Sequence, residues 1–227
     1  MPDLYDSLNK IFHDVYATGN PDVVDIYFGN PRRIYRSSVS RTENDNILVI
    51  GEDVTENMRL AHYDRLTEVY NRFSFIEKCE TALKNADKND AVVAMFFIDL
   101  NDLKPVNDKY GHEAGDLYLR TVTSALKEAI RRKDIIGRYG GDEFVILSVM
   151  NDIKNAGKIA EKISNAVNSV RIEIKGGIIE GSASVGVACR VKNNKEDIEA
   201  LIRRSDKAMY VSKRKGCSYT FSESVSA

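Results

Sequence analysis

Eight consecutive apolar residues, 91–98, lie between Asp90 and Asp99. A run this short, continuous and bounded by charge predicts a buried strand. It is far too short to cross a bilayer. Helix and strand patterns alternate around it. Residues 73–83 have helical periodicity, with Phe73, Ile76, Cys79 or Glu80, and Leu83 along one side. Residues 116–130 predict a second helix, with Leu119, Val122, Leu126 and Ile130 inward. Strands are predicted at 135–139 and 144–149, on either side of a turn at Gly140-Gly141. A helix over 153–170, a strand over 182–191 and a helix over 198–213 complete the pattern. The order β-α-β-β-α-β predicts an α+β class, a ferredoxin-like sandwich with helices on one face of a mostly antiparallel sheet.

The first 54 residues read differently. Leu4, Leu8, Ile11 and Val15 recur at helical spacing, ending near Thr18-Gly19-Asn20-Pro21. Extended stretches follow at 23–28, 33–41 and 46–51, with turns at Gly29-Asn30-Pro31 and Glu43-Asn44-Asp45. One helix on a small antiparallel sheet is a thin core, and units of that size usually need a partner. Residues 55–63 read as a polar linker helix.

Composition narrows the function classes. Lys plus Arg number 33 against 34 Asp plus Glu, so no bulk charge favours nucleic acid or a membrane surface. Any phosphate recognition must be local. Cys79, Cys189 and Cys217 are odd in number and far apart, without zinc or disulfide spacing, which suits a reducing compartment. The Met1-Pro2-Asp3 start lacks signal-peptide character. The expectation is a cytoplasmic chain without a membrane segment.

Three carboxylates stand out. Asp99 falls where the apolar strand ends, and Asp142 and Glu143 fall in the tight turn. In a ferredoxin-like order those two tips lie side by side. Clustered carboxylates repel one another unless a cation neutralises them, and hard oxygen ligands select Mg2+ or Mn2+. Magnesium keeps waters and bridges phosphates, which points to phosphoryl or nucleotidyl transfer. Taken singly, each acid also fits a solvated loop. Gly140 and Gly141 allow close backbone approach and a positive-φ turn.

The stretch from Arg131 through Asp134 and Arg138 to Gly140-Gly141-Asp142-Glu143-Phe144 resembles the signature of the GGDEF family of diguanylate cyclases, R-x-x-D-x-x-x-R-x-G-G-D-E-F. Asp64-Arg65-Leu66-Thr67 with Asn71-Arg72 is similar to that family's opening motif. Asp99, Lys104, Asn107, Asp108, Gly111, His112, Gly115 and Asp116 match a second motif in order. Ser184, Gly186 and Ala188, then Asp206, Ala208, Tyr210, Lys213 and Gly216, are similar to the family's last strand and helix. Residues 1–54 resemble the second half of a PAS sensor domain, through Glu52-Asp53-Val54-Thr55-Glu56; a small dimerisation sheet is the alternative. The implied organisation is a sensor-like or dimerisation segment over 1–54, a linker helix over 55–63, and a GGDEF, nucleotidyl-cyclase palm-like domain over 64–227.

The resemblance implies an enzyme that condenses two GTP into cyclic di-GMP and two pyrophosphates at the interface of a homodimer. Asp99, the Leu100 carbonyl, Asp142 and Glu143 would hold two Mg2+ or Mn2+ per half-site. Asp142, Glu143 and Lys213 would be catalytic. Asp102, Leu103, Lys104, Gly140, Gly141 and Lys213 would contact the GTP phosphates, and Asn107 and Asp116 the guanine. Asp116 accepts from N1–H and the 2-amino group, a donor pair that adenine lacks. Arg131 and Asp134 would form an inhibitory cyclic di-GMP site; a basic helix end is the bland alternative. Arg138 and Asp206 are expected to pair structurally, His112 to be a hydrogen-bonded loop residue, and Tyr210 to be core. Glu68, Asn101, Leu103, Cys217 and Ser218 depart from the family pattern. At position 217 the family arginine would help hold the triphosphate, and its loss costs about 1.5–3 kcal/mol. The alternative function is a silent module that binds GTP or cyclic di-GMP as a receptor. A third reading, a cyclase making a mixed GMP–AMP product, is disfavoured by Asp116.

Overall fold

The computed structural model describes residues 3–28, 33–191, 194 and 196–222. The turn expected at Gly29-Asn30-Pro31 and the Leu4 side chain lie outside this description. The chain forms two compact units, Met1–Ala61 and His62–Ala227. In the first, helix α1 (Asp3–Thr18) precedes strands β1 (Asp22–Phe28), β2 (Arg33–Arg41) and β3 (Ile47–Asp53). The strands form an antiparallel sheet in the order β1-β2-β3. Its core is thin: Val15, Ser37, Val39 and Val54 are buried, whereas Val23, Phe28 and Ile50 are exposed. Arg36 forks onto both carboxylate oxygens of Asp25 on the neighbouring strand. Helix α2 (Thr55–His62) follows.

The second unit contains α3 (Arg72–Lys88), β4 (Val92–Leu100), α4 (Leu103–Tyr110), α5 (His112–Ala129), β5 (Ile135–Arg138), β6 (Glu143–Met150), α6 (Lys154–Asn168), β7 (Arg171–Ile174), β8 (Gly177–Glu180), β9 (Ala183–Arg190), α7 (Ile198–Lys215) and β10 (Tyr219–Phe221). Five strands form one sheet, ordered β10-β9-β4-β6-β5. Strand β4 sits at its centre, antiparallel to both β6 and β9. Strands β4, β5, β6 and β9, with α5 and α6 as crossovers, give the ferredoxin-like order. Strand β10 adds a short parallel edge beside β9, and β7–β8 form a separate hairpin.

The α+β class stands, but the expectation of helices on only one face does not. Along β4, Ala94, Phe96, Ile98 and Leu100 pack with Tyr118, Leu119, Val122, Leu126 and Ile163 of α5 and α6. Val93, Met95 and Phe97 point the other way, onto Phe75 and Cys79 of α3 and Leu201 and Met209 of α7. The strand is apolar at both parities up to Ile98, so it must be covered on both faces. Each fully buried Leu, Ile or Phe contributes about 1.5–3 kcal/mol, so this double-sided strand anchors the unit.

Other expectations shift in register. Phe73 is exposed, and Phe75 begins the inward face of α3. Tyr210 is exposed rather than core, with Arg214 lying over its ring. His112 opens α5 at the surface, and none of the described hydrogen bonds involves its side chain. Helix α4 lies where sequence periodicity shows only a turn or cap. Pro105 occupies its first turn, where proline is tolerated because the missing N–H has no helical partner.

Candidate active site

The register of β4 places Asp99 opposite Glu143 of β6 on one side and Ser184 of β9 on the other. The hairpin between β5 and β6 closes with the Tyr139 N–H donating to the Glu143 carbonyl at 2.8 Å. Leu100 N–H donates to the Asp142 carbonyl at 3.1 Å, fixing the turn against the end of β4. Neither Gly140 nor Gly141 adopts positive φ, contrary to expectation. A Cβ at Gly140 would instead meet the Glu143 carboxylate and displace that flexible side chain. At Gly141 a Cβ would meet nothing within 4 Å.

Arg138 secures the hairpin from below. Its guanidinium donates to the Gly141 carbonyl and to both oxygens of Asp64 at 3.1 and 3.3 Å. The expected Arg138–Asp206 pair is therefore not made. Asp206, on α7, instead joins the acidic group. Desolvation, then the charges of Asp142, Asp206 and Asp99, raise the Glu143 carboxyl above its usual range, partly opposed by Arg72. Desolvation and Asp99 likewise raise Asp206. Lys213 Nζ donates to Asp99 Oδ1 at 2.5 Å.

Asp206 and Arg72 are the neighbours that sequence reasoning missed. Asp206 precedes Lys213 by two helical turns, so both lie on one side of α7; that spacing was the available signal.

Asp102 precedes α4, and Leu103 and Lys104 begin it. The first N–H groups of a helix have no partner within it, which favours anions there. Lys104 is exposed. Further along α4, Asn107 packs its side-chain amide into the space left by Gly115, where a Cβ would overlap its oxygen. Asp116 is the next residue of α5 and is exposed. A polar cavity of about 430 Å3 opens beside Lys213, lined by Asn101, Ser182, Ser184, Cys217 and Ser218 among others. Asn101 clamps its wall, donating to Ser182 Oγ at 2.8 Å and accepting from Ser184 Oγ at 3.0 Å.

Arg131 and Asp134 lie at the start of β5, away from the hairpin at its far end. Asp134 Oδ2 accepts from the Arg131 backbone N–H, and Oδ1 accepts from Ser148 Oγ. The Arg131 side chain is exposed and borders a cavity of about 120 Å3 with Lys158 and Lys162.

Among the described residues, no group of three or more His, Cys, Asp or Glu side chains is arranged to hold a metal ion by itself. A hard divalent ion bound through a few oxygens, its remaining positions filled by water and phosphate, requires none. The residues fit such an ion on two observations. Burial and the neighbouring acids raise the Glu143 carboxyl, and a lysine ammonium stands against Asp99.

A ferredoxin-like sheet with carboxylates gathered at a glycine hairpin defines a nucleotidyl-cyclase-type domain. The family model for the diguanylate cyclase, GGDEF domain matches residues 61–218, and the chain belongs to that family. It is 36% identical over 170 residues to the bifunctional diguanylate cyclase/cyclic di-GMP phosphodiesterase MucR of Pseudomonas aeruginosa, covering 74% of this chain and 24% of that protein. It is 34% identical over 187 residues to the probable diguanylate cyclase DgcE of Escherichia coli, covering 79% and 17%. The chain thus spans a quarter or less of the length of these two relatives. The coiled coil and GGDEF domain of DgcB from Caulobacter crescentus, solved in complex with c-di-GMP, superposes with a TM-score of 0.67 at 26% identity, covering 74% of this chain and 88% of that one. Among the described residues, no helix is long and apolar enough to cross a membrane.

Proposed function

We propose that the chain is a diguanylate cyclase, condensing two GTP into cyclic di-GMP with release of two pyrophosphates. The observation that carries this is the meeting of Asp99, Asp142 and Glu143 at the central strand end, with Lys213 beside them. Asp99, the Leu100 carbonyl, Asp142 and Glu143 would hold two Mg2+ or Mn2+. Bound there, the metals would lower the pKa of the attacking 3'-hydroxyl and neutralise charge developing on the α-phosphate. Lys213 and Lys104 hold phosphate oxygens, with backbone N–H groups at Asp102, Leu103 and the Gly140-Gly141 turn. Asn107 and Asp116 orient guanine. Glu143, whose carboxyl is raised by burial and by the acids around it, would accept the hydroxyl proton.

One chain supplies one GTP half-site, so a second copy must face it for the 3'-hydroxyl to reach the α-phosphorus. Product would bind at Arg131 and Asp134 and hold two domains in a non-productive arrangement. Each carboxylate oxygen has a second lone pair, so Asp134 can accept guanine donors while keeping its present bonds. Lys158 and Lys162 beside it suit the anionic ligand. Residues 1–54 would act as a sensor-like or dimerisation segment passed through 55–63 to the domain over 64–227, in the cytoplasm.

The second reading is a silent receptor for GTP or cyclic di-GMP. It is favoured by Cys217, which leaves Lys213 as the one cation lining the 430 Å3 cavity among the described residues. Incubation with labelled GTP and Mg2+ separates the two: the cyclase consumes GTP and the receptor returns it unchanged.

A further inference from the structure

Helix α7 carries Arg204, Lys207, Ala208, Val211 and Lys215 along one side, following the helical repeat. This side borders a groove of about 400 Å3 whose other wall is β10 and Ser222. Arg204 and Lys215 lie about half a turn round the helix from Lys213, so the groove is separate from the acidic site. Between the cations its floor is apolar at Ala208 and Val211, and Thr220, Phe221 and Ser222 form the β10 wall.

Strand β10 is the last strand of its sheet, and no described strand pairs with its outer side. The Ser222 N–H donates inward to the Val187 carbonyl at 2.7 Å. Alternation along an extended chain then turns the Phe221 N–H and C=O outward, to the open edge. Among the described residues, neither Lys207 nor Lys215 pairs with a carboxylate. Arg204 is tied to Glu196 and Ser222 through its terminal nitrogens, while its buried Nε has no partner among them.

We propose that this groove receives an extended acidic segment of a partner protein, which adds a strand to β10. Lys207 and Lys215 are eight residues apart, about 12 Å along the helix at 1.5 Å per residue. Four residues of strand span about 13 Å, and positions i and i+4 point to the same face. Carboxylates at i and i+4 therefore match the two lysines, with apolar contact between them. A small anion needs converging cations, whereas these are spread along an apolar floor. The open backbone edge offers a donor and an acceptor that an added strand can pair with.

The probe is a short fluorescein-labelled peptide with Glu at i and i+4 and Val and Thr between, titrated into the full chain and followed by anisotropy. Saturable binding is expected, weakened about tenfold or more by the double variant Lys207→Glu/Lys215→Glu. Phe221→Pro removes the outward N–H without touching the bonds to β9, and binding should be lost. Methylating the peptide's own amides on its bonding edge should also abolish it, with no change to the protein. Absence of saturable binding, or equal affinity for the charge-reversed double variant, overturns the proposal. So does undiminished binding of the methylated peptide, or its displacement by equimolar inorganic pyrophosphate, because either marks a simple anion site.

Discussion

Asp99 and Glu143 face each other as cross-strand partners, and the Glu143 carboxyl is raised by burial and by the acids around it. Two carboxylates at such a position oppose folding unless a cation is shared between them. Asp99→Asn or Asp142→Asn is expected to abolish product formation while the thermal melt stays within a few degrees of wild type. Substantial turnover by either purified variant contradicts the metal-ligand roles.

Asn107 depends on Gly115 for its place against α5. Gly115→Ala is expected to push the amide aside and raise KM for GTP about tenfold, a loss near 1.4 kcal/mol, with kcat little changed. Asp116→Ser should lower GTP use and raise acceptance of ATP. Steady-state kinetics with both nucleotides checks each change, and an unaltered GTP preference would make both residues structural.

Asp64 anchors the hairpin through Arg138. Burial pushes its carboxyl upward, but hydrogen bonds from the Thr67 hydroxyl and amide and the charge and bonds of Arg138 outweigh this, and the net shift is downward. A carboxyl depressed in the folded state stabilises above its unfolded pKa, about 3.9. That stability is lost as pH falls through the lower folded value. Asp64→Asn is expected to cost about 2 kcal/mol at pH 7. The gap from wild type should narrow as the pH approaches 3. Urea unfolding at both pH values measures it.

Glu68 sits at φ 54°, in the left-handed region that glycine adopts without strain. A non-glycine residue in that region costs about 1–2 kcal/mol. The Glu68→Gly variant is expected to recover about 1 kcal/mol of this, after the greater entropy of an unfolded glycine is offset. A Tm below wild type would contradict it.

Arg131 stands apart from the hairpin, so Arg131→Ala is expected to keep the initial rate near wild type. The same change should remove inhibition by added cyclic di-GMP. Titrating cyclic di-GMP into both proteins during turnover tests this, and equal inhibition would leave Arg131 and Asp134 as a loop clasp alone.

Much of this arrangement was legible in the residues. The apolar run at 91–98 announced a buried strand, and the ferredoxin-like order of the elements put its Asp99 end beside the glycine hairpin. Local pattern failed where tertiary contact decides. Strand β10 is three residues long and exists because β9 offers an edge. Helix α4 was hidden by Pro105, and Phe73 yielded the inward face of α3 to Phe75. On the sequence alone, Arg138 is expected to pair with Asp206. Only the folded chain shows Asp64 taking the guanidinium and leaving Asp206 with the active-site acids.

The most direct test of the central claim is product analysis after incubating the purified chain with Mg2+ and α-phosphate-labelled GTP. The account expects label to appear in cyclic di-GMP, two GTP consumed and two pyrophosphates released per product, with no product when Mg2+ is chelated. Recovery of intact GTP at protein concentrations high enough to pair two copies would contradict it.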